Sequence, residues 1–480
     1  MNAYGDVGLL SPVRAGTAAE AATSDTACLQ AMLDVEAALA LAQVRLGSVP
    51  AEAGRAIRAA TRAEDFDLPE LARRGRESAN PVVALVGVLA DRVAALDPAA
   101  AHYVHQGSTS QDVLDTALML VASRALEPLL IDLDRTAAAL RDLAVRHRDT
   151  VMPARTLGQH AVPTTFGLKA AGWLQGVLDA ADRLRDLHAA GLPVQLGGAA
   201  GTMAGYLEYA ALASRAGGVP QVPAHGEFAA RLPALVAARL GLANPLVPWQ
   251  SVRTPLLGLA AALCGAATAL GTVAADVQLL ARTETGELSE PGAPGRGASS
   301  AMPHKRNPAL SALVRSAAYQ VPSMLATLAH TAVVDDERPA GAWHAEWQPL
   351  RECLRLVGGA ARTAAELAEG LVVHEDRMAA NLRLTRGLVV SERLAAVLAA
   401  DLGRAEARAV VGRAGARAAA DGRHLADVLA ELLAERPHPE GRFDAAALHA
   451  LCRPERYTGA AGLFVDRVVA RHDARDRTAR

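Results

Sequence analysis

Between Arg253 and Asp276 the chain carries no charged residue. A stretch of that length either crosses a bilayer or lies inside a helical bundle, because a helix that is apolar all round has no face to give to water. Its residues decide between the two. Thr254, Pro255, Gly258, Gly265, Thr268, Gly271 and Thr272, interleaved with alanines, make it small and weakly apolar, and no aromatic anchors stand at its ends. The segment is predicted to be a helix buried on all sides by other helices, and no membrane is expected.

Such a helix needs long neighbours, and the chain supplies their pattern. From Ser110 to about Arg148, Leu114, Leu118, Val121, Leu126, Leu129 and Leu133 recur at near-helical spacing, with a kink expected at Pro128. A second long helix is predicted from about Thr164 to Leu187. The uncharged helix continues through Leu279 and Leu280, and another follows Pro308 to about Val334. Composition agrees: 51% of residues are hydrophobic but only 3% aromatic, a core of Ala, Leu and Val with few clusters suited to sheets. The expected fold is all-α, with three helical domains. An N-terminal domain over 1–108 has its clearest helix at Met32 to Ala40, before Gly47 and Pro50. A central long-helix bundle covers 109–372, and a C-terminal domain 373–480 has shorter helices separated by Gly422, Pro437, Pro439 and Gly441. The Ala/Arg-rich stretch at 404–420 reads as a solvated helix face.

Lys and Arg number 49 against 51 Asp and Glu, a net charge of −2, so nothing marks the chain for nucleic acid or an anionic membrane. A small molecule is the expected partner. Cys28, Cys264, Cys353 and Cys452 lie far apart without a CxxC pair, which argues against a zinc site or a disulfide framework. The N-terminus shows no basic stretch followed by an apolar one, so a cytoplasmic location is expected. His102 and His105 have no matching ligand motif downstream, and neither metal nor organic cofactor is expected.

The segment 286–308 is the most informative for chemistry. A helix ends, a loop rich in Gly and Pro follows, Ser299 and Ser300 sit in it, and Lys305 and Asn307 precede the next helix. Such a loop can close over a site. A serine there can serve as a base if its alkoxide is stabilised by Lys305 and by backbone N–H groups at the following helix start. The competing reading is a solvent-exposed linker. A phosphate loop is excluded by the missing Gly-Lys-Ser/Thr ending.

Ser299-Ser300-Ala301-Met302-Pro303-His304-Lys305-Arg306-Asn307-Pro308 resembles the signature loop of the fumarase/aspartase superfamily, with Ala298 where that family usually has Gly. His105-Gln106-Gly107-Ser108-Thr109-Ser110-Gln111-Asp112-Val113 is similar to the family's first motif, whose Thr-Ser pair binds a substrate carboxylate at a helix start. Taken alone, Ser108 to Ser110 would read as an ordinary N-cap. Arg155 to Gly167 resembles the second motif, but Leu157 stands where many members carry a histidine that helps to protonate the leaving atom. A strongly basic leaving group needs such an acid. Its loss argues against adenylosuccinate, argininosuccinate and fumarase chemistry, while His160 reads either as a substitute acid or as pocket wall.

The 3-carboxy-cis,cis-muconate cycloisomerase branch also lacks that histidine, and Glu284 to Pro291, Met302 to Pro308 and Glu337 to Trp347 resemble it. Gln106, Leu157 and Gly158 depart from the branch pattern, and residues from Gly205 to Glu227 look inserted. Within the branch the chain also resembles nitrosuccinate lyases, which eliminate nitrite, a weak base, to leave fumarate. The resemblance implies that Ser299 accepts the proton, beside Ser300 and Met302, and that Lys305 and Asn307 stabilise developing charge. It places Thr109, Ser110 and Gln111 on a substrate carboxylate, has Arg338 and Arg14 add positive charge, and has Gln159 orient the substrate, with His105, His160 and Asn80 in the pocket. Without the family, Arg338 would read as a surface partner of Asp336 or Glu337. A homotetramer acting on a small dicarboxylate is implied, each site shared between subunits. Two other readings stand: a lactonising cycloisomerase, and a non-catalytic helical scaffold.

Overall fold

The long helices expected from periodicity are present in the computed structural model, which describes residues 6–215, 222–434 and 442–479. They are Ser110–Arg146, Phe166–Ala190, Thr254–Leu280 and Ala309–Thr331, and a fifth, Ala342–Glu369, was not read from the sequence. The first runs through Pro128, where the missing N–H interrupts the ladder without ending the helix. The N-terminal helix expected around Met32 to Ala40 spans Asp25–Arg45; Ser24 caps it by accepting the Ala27 N–H, and Gly47 follows its end with a positive φ of 79°. The fold is all-α with little strand.

The uncharged helix is not buried on every face within one chain. Leu256, Leu259, Leu263, Ala266, Leu270, Val273 and Val277 are buried, while Thr254, Gly258, Ala261, Thr268 and Thr272 are exposed. The single chain's helices cover one side only, as expected of a helix that one subunit's bundle cannot enclose. This helix and Asp25–Arg45 are long and apolar enough to cross a membrane by composition, and both are mostly buried.

Two short antiparallel pairs depart from the helical pattern, and the smaller joins Leu288–Ser289 to Val372–Val373. Val151–Thr156 pairs antiparallel with Gln159–Thr165, Thr156 opposite Gln159. The helix expected from Thr164 therefore begins at Phe166, because Thr164 and Thr165 belong to the strand. Leu157 and Gly158 form the two-residue turn with φ of 51° and 79°, the two positive values that match the twist of paired strands. Leu157 is fully exposed at its tip.

The chain divides into two compact units, each discontinuous in sequence. One comprises Met1–Leu133, Asp179–Gly271 and Leu313–Thr363; the other comprises Asp134–Leu178, Thr272–Ala312 and Ala364–Arg480. In the second, Leu394, Leu398, Val410, Ala414, Leu425 and Leu429 belong to a core under the C-terminal helices. The Arg404–Asp421 helix buries its alanine and valine face and leaves Arg404, Arg408, Arg413 and Arg417 exposed, as the Ala/Arg bias suggested. Gly422 ends it in the left-handed region. Pro437, Pro439 and Gly441 lie outside the described residues. Burial pushes the Cys353 thiol up to about 12 and that of Cys452 to about 11, so both are unreactive at neutral pH.

Candidate active site

The Ser110–Arg146 helix is entered through His105 and Gly107, both at positive φ. Gly107 is required there: a Cβ would lie 2.7 Å from the Tyr206 nitrogen. Asp112 in the first turn accepts from the Gly197 N–H at 2.8 Å, the Gly198 N–H at 2.9 Å and the Tyr206 hydroxyl at 2.9 Å. It thereby fixes the backbone beside the helix start. Burial pushes its carboxyl up to about 6, against these donors, which favour the anion.

Arg338 donates through Nη2 to Thr109 Oγ1 at 2.9 Å and through Nε to Gln111 Oε1 at 3.0 Å. It also donates to the Ala199 carbonyl at 3.3 Å. The guanidinium is thus turned towards Thr109 and away from a pairing with Asp336 or Glu337. Thr109, Gln111 and Arg338 form one contacting group, and Ser110 opens the helix beside them. Gln111 has no exposed surface and lies beneath Arg338.

The other residues of this unit have local partners. His105 Nδ1 is 2.6 Å from the buried Glu36 carboxylate. Burial lowers the imidazole pKa, but Glu36 outweighs it and leaves the value raised, so the cation is favoured and His105 is a poor proton acceptor. Arg14 is buried between Asp6 and Glu20. Asn80 caps the Pro81–Leu96 helix, its Oδ1 accepting the Val82 N–H at 2.9 Å.

In the second unit, the loop before Ala309–Thr331 is closed at its base. The Asn307 N–H donates to the Gly297 carbonyl at 2.8 Å, and Ala298 bridges to Arg306. At the tip, Ser299 Oγ accepts from the Met302 N–H at 3.1 Å and the Ala301 N–H at 3.4 Å. Such donors stabilise an alkoxide more than a neutral hydroxyl. Ser300, Met302 and Lys305 share this loop and are exposed, while Asn307 is half-buried at its base.

The expected help from the following helix start is corrected. Its first free N–H groups are engaged: Leu310 donates to Glu290 Oε2 at 2.9 Å and Ser311 to Oε1 at 2.8 Å, and the Ser311 hydroxyl also reaches Glu290. Glu290 caps the helix, and the serine's donors come from its own turn instead.

Gly297 is a second required glycine. Its φ is +63°, and a Cβ would lie 2.3 Å from the Asn307 carbonyl oxygen. Gly297→Ala is expected to lower kcat/KM by about a hundredfold, the scale of a misplaced catalytic group. The thermal midpoint should move by only a few degrees, since the loop is exposed. Steady-state kinetics and a thermal melt check this.

Gln159 and His160 stand on the hairpin. Arg155 anchors it, donating through Nη1 and Nη2 to the buried Glu287 carboxylate at 2.9 and 2.6 Å, and Asn381 Nδ2 donates to Glu287 at 2.7 Å. Burial and the Arg155 charge lower the His160 pKa, so its imidazole is neutral at neutral pH. Gln159 is exposed.

Sequence reasoning missed Asp112, Glu287 and Glu290 as supports of these groups, although each stands within a segment that resembles a family motif. Among the described residues no group of three His, Cys, Asp or Glu side chains is placed to hold a metal.

Residues 15–323 match the family described as Lyase, and residues 387–468 match that described as Adenylosuccinate lyase C-terminus. A nitrosuccinate lyase of Streptomyces davaonensis is 56% identical over 468 residues, covering 98% of this chain and 95% of that one. A 3-carboxy-cis,cis-muconate cycloisomerase of Pseudomonas aeruginosa is 42% identical over 451 residues, covering 94% and 93%. The crystal structure of 3-carboxy-cis,cis-muconate lactonizing enzyme from Pseudomonas putida superposes with a TM-score of 0.83 at 38% identity, covering 95% of this chain and 97% of that one. With its signature loop, its first motif and this likeness over nearly the whole length, the chain belongs to the lyases of the fumarase/aspartase superfamily, in the branch that holds the 3-carboxy-cis,cis-muconate cycloisomerases.

Proposed function

We propose that this lyase eliminates nitrite from nitrosuccinate to give fumarate, with Ser299 as the base. The observation that carries the reading is Ser299 Oγ accepting two backbone N–H bonds on the signature loop. In the proposed step the Ser299 alkoxide takes the proton from the carbon beside the distal carboxylate. The electron pair left on that carbon is shared with the carboxylate, where Lys305, Asn307 and loop amides stabilise it. The pair then forms the carbon–carbon double bond as the carbon–nitrogen bond breaks, and nitrite departs with the electrons of that bond.

Nitrite is a weak base and leaves without a proton, which suits a hairpin tip carrying Leu157 in place of an acid. The 56% identity to a nitrosuccinate lyase supports the same substrate. Arg338 with Thr109 and Ser110 holds the other carboxylate, and Gln159 orients the substrate. A homotetramer with shared sites is part of the proposal, and the exposed small-residue face of Thr254–Leu280 fits burial against other copies. The three-part division at 108 and 372 is part of the same proposal.

The test presents nitrosuccinate and 3-carboxy-cis,cis-muconate to the same preparation. The expected kcat/KM is at least about a hundredfold higher for nitrosuccinate, the discrimination that polar contacts in a site can supply. Preference for the muconate, followed as loss of its absorbance, would establish the lactonising reaction instead. Turnover of neither by a folded protein would favour a scaffold.

A further inference from the structure

Beneath Arg338 lies a connected series of buried polar groups. Gln111 Nε2 donates to Asp115 Oδ2 at 3.1 Å and to the Gln250 carbonyl at 3.0 Å. Its Oε1 is left to face Arg338 Nε. The reversed amide would set its N–H₂ group against a guanidinium, which has only donors, and its oxygen against two acceptors, so all three bonds would be lost. The direction of this amide is therefore fixed by what lies behind it.

Asp115 is held in turn. Arg253 donates to it through Nη1 at 2.6 Å and Nη2 at 3.2 Å, and Trp343 Nε1 donates at 2.9 Å. Arg253 reaches on to Glu346 at 2.5 Å and lies over the Trp249 ring at 4.7 Å. Two carboxylates share one buried guanidinium, so Asp115 is held from behind as well as by Gln111. A Gln111 amide fixed in this way presents its oxygen to Arg338 before any substrate arrives.

We propose that Gln111 is a positioning residue, directed by Asp115 and Arg253, that sets the Arg338 guanidinium at Thr109 to receive one carboxylate of a dicarboxylate. This rests on reading Arg338 and Thr109 as the carboxylate site.

The test is a double-mutant cycle read by calorimetric binding of fumarate to the assembled protein. Gln111→Met, which keeps the volume and removes the amide, is expected to weaken binding about tenfold or more, as loss of a hydrogen bond to a charged group implies. In an Arg338→Lys background the same change should add less than about twofold, because the group it positions is gone. Gln111→Asn, which keeps the amide but withdraws its oxygen, should act in the same direction and serves if the methionine variant does not fold. Additive losses, or unchanged binding in the folded single variants, would overturn the inference. A wild type that binds fumarate but releases no nitrite from nitrosuccinate would refute the proposed reaction alone, and the cycle would still decide the role of Gln111. A wild type that binds no dicarboxylate would overturn both.

Discussion

Ser299→Ala is expected to lower kcat by roughly 10²–10⁴-fold, the usual worth of a positioned general base, while KM stays within a few-fold. The serine hydroxyl is too weak a base when neutral. In the proposed step its competence would come from the Met302 and Ala301 amides that point at Oγ and from the Lys305 charge on the same loop. Substrate affinity is assigned elsewhere, to Arg338, Thr109 and Ser110, so removing Oγ should spare it. Lys305→Met should harm both constants if, as proposed, its charge serves the bound carboxylate as well as the developing one. The alternative bases make a sharp comparison. His105 is held towards its cation by Glu36, and His160 is neutral but stands on the hairpin. His160→Gln should therefore keep kcat within a few-fold of wild type. A Ser299→Ala enzyme with near-normal turnover, beside an inactive His160→Gln enzyme, would transfer the base to His160.

Arg253→Met is expected to destabilise the folded protein by about 3–5 kcal/mol, the cost of removing one partner from a buried ion pair. The Arg253 side chain is 2% exposed, and those of Asp115 and Glu346 are each 1% exposed. Burial alone would lower the Arg253 pKa, but the two carboxylates hold it above the ordinary guanidinium value. Without it they lie side by side in the core with no cation between them. Burial already raises the Glu346 pKa, and only Arg253 opposes it. In the variant Glu346 should bind its proton more tightly folded than unfolded. Groups whose folded pKa is raised lend stability at low pH and lose it as pH rises, so the deficit should shrink as pH falls towards the ordinary carboxylate range. Thermal melts of both proteins across pH check the size and the sign. A deficit that stays constant with pH would mean that the carboxylates are not ionised in the native core.

The parts legible from sequence were those written in local spacing. The uncharged segment, the leucines from Leu114 to Leu133 and the break at Pro308 gave the long helices, because helical periodicity is a short-range property. The signature loop was legible because its residues are contiguous. The hairpin was not. Its turn is Leu157-Gly158 instead of an Asn-Gly pair, and Thr164 and Thr165 run directly into the helix that begins at Phe166. The series behind Arg338 was hidden for another reason. Asp115, Arg253 and Glu346 come from three distant segments, and only packing brings them together. Glu290 shows the same limit on a smaller scale: its motif was visible, but its task of capping the next helix depends on how the loop folds back.

The most direct measurement of the central claim is simultaneous quantification of nitrite and fumarate from nitrosuccinate with the wild-type enzyme. The two products are expected to appear together in equal amounts and at equal rates, with no metal or organic cofactor added, and both should fall in parallel in Ser299→Ala. Fumarate formation without matching nitrite, or consumption of nitrosuccinate that yields neither, would contradict the account.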